Sequence, residues 1–244
     1  MQSMLILLPP SETKARGGDC GPLDLDSLSF ASLNETRKSL IDDLRELSSD
    51  APVACDVLGL GPKSADEVEL NSELRTSPTT PALDRYTGVL FEALDPATLD
   101  AESRGRLAVG SALFGVVGGE DLIPAYRLSG TVKLPLPDGS LPTMRKRWGR
   151  TITETLSGRD DLIVDLRSGT YQNLGKVPGA VTAKVVTPEG KVVSHFNKHH
   201  KGLLARALAQ SPAESVAEAV KVAQSAGLTA AADGDVIVIT TPAN

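Results

Sequence analysis

"GSALFGVVGGEDLIPAYRL", residues Gly110–Leu128, carries four glycines between apolar shoulders and ends on Tyr126-Arg127. It is too rich in glycine for a regular helix and too apolar for a solvated tail. How it folds therefore decides what is built around it. Upstream, "RLAVGSALFG" reads as a strand running into a glycine hairpin. The run L-F-G-V-V-G-G-E-D-L-I also approximates a helix-hairpin-helix. In such a unit the amides of Gly115, Gly118 and Gly119 would face a phosphate at a helix N-terminus. The competing reading is a tight turn between two core elements, and Glu120-Asp121 place two acids beside the proposed phosphate.

Working outward, "MLILL" (Met4–Leu8) is a short apolar run stopped by Pro9-Pro10, as expected of a buried strand. "SLNETRKSLIDDLREL" predicts a helix capped by Ser32 with Glu35 three residues on. Leu33, Leu40, Ile41, Leu44 and Leu47 form its apolar face. Ser64 and Glu67 repeat that spacing. Further helices are expected at Tyr86–Leu94, around "TMRKRWGRTITETL", in "KHHKGLLARALAQ" and in "SPAESVAEAVKVAQSAG", the last capped by Ser211. "DLIVDL" and "GDVIVIT" read as strands, and "AVTAKVVTPEGKVVSHF" as a β-hairpin turning at Pro188-Glu189-Gly190. The expectation is one α/β (α+β) domain over residues 1–244: a mixed sheet flanked by helices, with a helix-hairpin-helix-like element.

The 244 residues are 41% hydrophobic and 23% charged, ordinary for a globular domain, with a net charge of −6. That charge is uneven. Arg127 to Arg206 holds 14 lysines and arginines against 6 acids, and all three histidines. Such asymmetry suits either a local anion-binding face or ordinary surface composition. Cys20 and Cys55 have neither disulfide-framework nor metal-ligand spacing, and read as free thiols of a reducing compartment. The N-terminus lacks a signal-peptide pattern, and no segment is long and apolar enough to span a membrane, so a cytoplasmic protein is expected.

Polar residues gather beyond the ends of the predicted strands, where α/β sheets bind ligands. Ser11 and Lys14 follow Leu8, and Ser168 and Tyr171 follow "DLIVDL". With Tyr86 they are candidates for lining a pocket. Arg127, Lys198, Lys201 and Arg206, together with Gly115, Gly118 and Gly119, are candidates for holding DNA or a smaller anion. His195 and His199 have i, i+4 spacing but no intervening Glu, so no metal site is expected. Ser168 with His195 lacks a nucleophile-elbow pattern. No cofactor is called for, and no catalytic residue stands out.

Six segments, taken in order, resemble the YaaA-type peroxide stress protein family: "MLILLPPSETK", "RYTG", "GSALFGVVGGEDLIPAYRL", "RKRWGRTIT", "VDLRSGTY" and "SHFNKHHKG". The likeness spans nearly the whole chain. It implies a single α/β domain, non-specific DNA binding through a helix-hairpin-helix, and a role in lowering intracellular free iron under hydrogen peroxide stress. An enzyme acting on a small anionic or nucleotide-like substrate is the alternative. The chain departs from better-known members at "PPSETK", where they have "SPAKT", and at "NKHHKG", where they have "AKKARG". Met4 matches the usual family start, so the resemblance implies that Met1–Ser3 is either an extension or an added remnant.

Overall fold

The computed structural model describes residues 4–61, 64–193 and 197–242. Met1–Ser3 and His195 lie outside them. Nine strands are present among these residues: β1 (Met4–Leu8), β2 (Thr80–Pro81), β3 (Leu107–Ser111), β4 (Gly115–Gly118), β5 (Leu122–Ile123), β6 (Leu162–Asp165), β7 (Val181–Val186), β8 (Thr229–Asp233) and β9 (Val236–Thr240). Seven form one mixed sheet in the order β4-β3-β1-β6-β7-β9-β8, and β2 and β5 form a small separate pair. The five central strands run parallel, and only the marginal strands β4 and β8 are antiparallel to their neighbours. All five residues of β1 and of β3 are buried. Strand side chains alternate between faces, so both faces of the sheet are covered there, as parallel sheets require. The chain moves from β1 to β3 on one side and later to β6 on the other. That reversal opens a crevice beyond the carboxyl ends of β1 and β6.

The expected helix-hairpin-helix is instead an antiparallel β-hairpin of β3 and β4, paired from Ala108–Gly118 to Ser111–Gly115. Val116 and Val117 are both fully buried, so the segment has no polar face to offer a ligand. Its glycines make room for neighbours. A Cβ on Gly115, whose φ is 74°, would lie 2.9 Å from the Trp148 ring; one on Gly118 would lie 2.8 Å from Ser29 Oγ, and one on Gly119 2.7 Å from Leu83. The Gly118 amide donates to Asp121 at 2.8 Å and the Gly119 amide to the Leu107 carbonyl at 2.7 Å. Neither is left for a phosphate.

The helices are α1 (Asn34–Leu47), α2 (Ala51–Leu58), α3 (Ala65–Ser72), α4 (Ala82–Arg85), α5 (Val89–Leu94), α6 (Ala101–Gly105), α7 (Met144–Trp148), α8 (Thr151–Ser157), α9 (Gly169–Gln172), α10 (Asn197–Gln210) and α11 (Val216–Ser225). The predicted apolar face of α1 is buried throughout, but Arg37 is buried with it. Ser32 does not cap α1: a 3-10 turn precedes the helix, and the Ser32 hydroxyl bonds Thr155 at 2.7 Å. Ser64 forms no side-chain cap either. In the last helix the cap is Ser215, which accepts from Glu218 N, rather than Ser211. The predicted Tyr86–Leu94 helix begins at Val89, and the basic helix divides at Gly149 into α7 and α8. The turn at Pro188–Gly190 forms; among the described residues of its second arm, Val192 and Val193 meet β7, while Ser194–Phe196 lie outside them, and the ladders of β7 are with parallel β6 and β9.

Gly202 lies where α10 crosses α5, and a Cβ there would sit 2.3 Å from the Leu90 carbonyl oxygen. Gly202→Ala should cost about 1–3 kcal/mol, lowering Tm by about 2–4 °C per kcal/mol. Gly105, with open space around it, should accept alanine with Tm unchanged or raised. Thermal melts of the two variants check this pair, and identical Tm values would refute the close crossing.

Candidate functional site

Beyond β1, Pro9-Pro10 ends the ladder and the chain turns along the "RYTG" segment. Thr87 N donates to Thr13 O at 3.2 Å, Ala15 N to Arg85 O at 2.9 Å, and Lys14 and Tyr86 form an isolated antiparallel bridge. Arg85, wholly buried, donates to the carbonyls of Gly17 at 2.7 Å and Ile123 at 3.1 Å, and also to that of Ala15. Gly88, at φ 96°, brings its backbone against Ser11 and Thr13. The loop is therefore held by groups more than 60 residues away in the chain.

Behind the loop runs a buried chain of hydroxyls. Ser111 Oγ accepts from Leu113 N at 3.2 Å and Phe114 N at 3.0 Å, which occupies both its lone pairs. Its proton then goes to Tyr126 Oη at 2.6 Å, and that of Tyr126 to Tyr86 Oη at 2.8 Å. Burial pushes both phenols above their ordinary range, so they stay protonated.

Lys14 stands in front of these rings, its Nζ 4.3 Å from the Tyr126 centroid and 5.4 Å from that of Tyr86. It donates to Ser11 O at 3.1 Å and Glu12 O at 3.4 Å. Burial, followed by the Arg127 charge, pushes the amine down to about 7, against the opposing pull of Glu12 and Glu67. Arg127 takes both those carboxylates itself, Glu67 at 3.2 Å and Glu12 at 3.4 Å. Its position is fixed by the wholly buried Asn71, whose amide accepts from Arg127 N at 2.8 Å and donates to Arg127 O at 2.9 Å.

The facing wall comes from β6. Asp165 and Arg167 form a buried fork, Nε to Oδ1 and Nη2 to Oδ2, both at 2.8 Å. Gly110 lets the Arg167 stem cross β3, since a Cβ there would lie 2.8 Å from Arg167 Cδ. Lys201 on α10 reaches back to Leu166 O at 3.1 Å, and burial lowers its pKa. Between the walls lies a basin of about 670 Å³.

The structure brings most of the candidates together. Ser168, Tyr171, Lys198 and Lys201 line the basin. Ser11, Lys14, Arg127 and Tyr171 line a narrow cleft that shares Pro10, Glu12, Ser129 and Tyr171 with it. Tyr86 stands behind that cleft. Arg206 does not join them: it donates to Leu94 O at 2.8 Å and Asp95 O at 3.1 Å, closing the end of α5. Gly115, Gly118 and Gly119 belong to the hairpin core. His199 packs edge-on against His200, and no group of three or more His, Cys, Asp or Glu among the described residues could hold a metal. No helix among them is long and apolar enough to cross a membrane. Cys20 and Cys55 are free thiols. Sequence reasoning missed Asn71, Asp165 and Ser111. Only the apolar spacing of the elements carrying them, with each polar residue on the inward face, could have signalled their burial.

A family model described as peroxide stress protein YaaA matches residues 4–233. A UPF0246 protein of Corynebacterium efficiens is 57% identical over 232 residues, covering 93% of this chain and 94% of that protein. A UPF0246 protein of Streptomyces coelicolor is 43% identical, covering 84% and 82%. An uncharacterized protein of Campylobacter jejuni is 27% identical, covering 82% of each.

The depressed Lys14 fixes the sign of one pH effect. Between about 7 and its ordinary 10.5 the unfolded chain holds a proton on this amine that the folded chain does not. Stability therefore rises with pH across that window, and the penalty is complete below it. Relative to Lys14→Met, the wild-type Tm should improve as pH is raised from about 6.5 to about 10. Melts of both proteins across that range test this, and a constant difference would contradict the buried, neutral amine.

Proposed function

The chain belongs to the YaaA peroxide stress protein family, and from that premise we propose that it acts in the cytoplasm during peroxide stress by holding a small anionic ligand in the basin beyond β1 and β6. The observation that carries this reading is the convergence of Lys198, Lys201, Ser168 and Tyr171 with the Lys14–Arg127 cleft, from segments far apart in sequence. The volume falls in the usual range for small-molecule sites. Ser129, Thr131, Thr170, Gln172 and Asn197 supply hydroxyls and amides for the neutral part of a ligand. A nucleotide-like or carboxylate-bearing substrate suits this combination of cations and neutral polar groups.

Non-specific DNA binding, which the family resemblance implies, is a second reading, supported by the cation excess of 127–206. The glycine hairpin lends it nothing, because its Gly118 and Gly119 amides are satisfied internally. A lowering of free iron is, in our reading, downstream of the bound ligand. Stoichiometric iron binding by the purified protein would reverse that order.

In a strain lacking this gene, the wild-type protein should restore survival of hydrogen peroxide, and a double variant Lys198→Ala, Ser168→Ala should not. Arg150→Ala, at an 85% exposed side chain away from the basin, serves as control. In vitro, inorganic phosphate should raise the wild-type Tm and raise that of the double variant far less. A gel shift with duplex DNA at low and high salt tests the second reading: salt-sensitive binding by both wild type and double variant would favour DNA over the basin.

A further inference from the structure

We propose that Lys14 is a catalytic amine that condenses with the carbonyl group of an oxo acid, holding it as an imine in the cleft beside the basin. The inference rests on the reading that the basin takes a small anion, and deepens it by naming the substrate class and the reacting atom.

Lys14 lines a tight cleft of about 10 Å³ that adjoins the basin through Pro10, Glu12, Ser129 and Tyr171, so a ligand seated in the basin reaches Nζ by displacing the exposed Glu12 side chain between them. Two backbone carbonyls, those of Ser11 and Glu12, take two of the N–H bonds of Lys14. Its carboxylate neighbours Glu67 and Glu12 are both bonded to Arg127, and no ion pair to Lys14 is formed among the described residues. Two carbonyl acceptors and no ion pair among the described residues leave Nζ a free lone pair whenever it is deprotonated, while the Tyr126 and Tyr86 ring faces favour its charged form. The charged and titratable groups around it are Arg127, Arg85, Glu12, Glu67 and the two tyrosines. Their net effect with burial is an amine near neutrality at physiological pH. Desolvation beside a second cation is a general means of activating a lysine toward carbonyl groups.

Arg127 gives the selectivity. Its contact with Glu12 is long, at 3.4 Å, and the Glu12 side chain is 75% exposed. An exposed pair of this kind is weak and easily exchanged. A substrate carboxylate can replace Glu12 on the guanidinium while the adjacent carbonyl carbon meets Nζ. The lone pair of Nζ forms the C–N bond as the carbonyl π pair moves to oxygen, which takes one amine proton to give the carbinolamine. Loss of that hydroxyl with the second amine proton leaves the C=N bond and one water. A proton from solvent then gives the iminium, whose N–H keeps a carbonyl partner in Ser11 O. No oxidant or reductant is consumed.

The full chain incubated with glyoxylate and then reduced with sodium borohydride should carry one stable secondary amine, located by peptide mass spectrometry at Lys14. Lys14→Arg, confirmed as folded by its melt, should lose that adduct. Should that variant fail to fold, the wild-type protein alone decides. Acetic anhydride should label Lys14 with a pH profile centred about three units below that of the exposed lysines. Adducts scattered over surface lysines, or a Lys14 profile matching theirs, would overturn the inference. The phosphate-dependent rise in Tm separates the two readings. If it persists without trapping, only the imine falls; if both are absent, the basin reading falls with it.

Discussion

Three arginines, Arg37, Arg85 and Arg167, lie wholly out of solvent, and the irregular segments around the sheet are arranged about their guanidinium groups. A buried cation is tolerated only when its donors are filled. Here most acceptors are backbone carbonyls of loops. Arg37 holds Phe114 O at 2.9 Å, Val116 O at 2.6 Å and Ser29 O at 2.9 Å, pinning the β3–β4 hairpin to the start of α1. Burial pulls it down only to about 10, with Asp121 opposing, so it remains charged at neutral pH. Arg85 does the same for the loop after β1, and Arg167 for the segment after β6. Each carbonyl bond to a charged donor contributes about 1.5–3 kcal/mol. Removing an arginine would leave several carbonyls without a partner at once. The two walls of the basin are positioned by the same device, one by Arg85 and the other by the Asp165–Arg167 fork.

Much of this architecture was legible in local pattern. "MLILL" and "DLIVDL" are short apolar runs because parallel strands are buried on both faces, and the α1 stripe is buried as its spacing requires. What local pattern could not show was packing between distant segments. Gly115 reads as a turn glycine, yet its second constraint is the ring of Trp148, 33 positions later. A run such as Val116-Val117 fits strand or helix equally, and the hairpin was decided by pairing with β3. The caps misled for a related reason. Ser32 and Ser211 are competent cap residues, but the Ser32 hydroxyl is taken by Thr155 and the chain reaches helical geometry only after Ser215.

The site divides along the same line. The rule that ligands gather at strand ends singled out the polar residues past β1 and β6 as candidates; Ser168 and Tyr171 line the basin, and Ser11, Lys14 and Tyr171 the adjoining cleft. The protonation of Lys14 was not legible. A lysine in "PPSETK" reads as an anion clamp, and it is pushed down to about 7 first by burial and then by the charge of Arg127, which Asn71 holds in place and which itself pairs with Glu12 and Glu67. Neither the burial nor the neighbour 113 positions away is written in the local sequence.

The same pairing with carboxylates bears on the basic stretch from Arg127 to Arg206. Its excess of cations suggests a polyanion face only while each is taken as free. Acids from outside the stretch draw on that excess: Arg127 is bound to Glu12 and Glu67, Arg147 to Asp43 and Lys184 to Asp233. Arg206 closes the end of α5, and Lys201 is bound to a carbonyl within the basin wall. A cation already neutralised by a neighbouring carboxylate releases few counter-ions on meeting DNA, and counter-ion release supplies most non-specific affinity. Local charge that is enclosed, by contrast, acts at short range in reduced dielectric, where one guanidinium and one amine can fix a small anion. The distribution of charge within the fold therefore favours a ligand that enters the basin over one that lies across the surface.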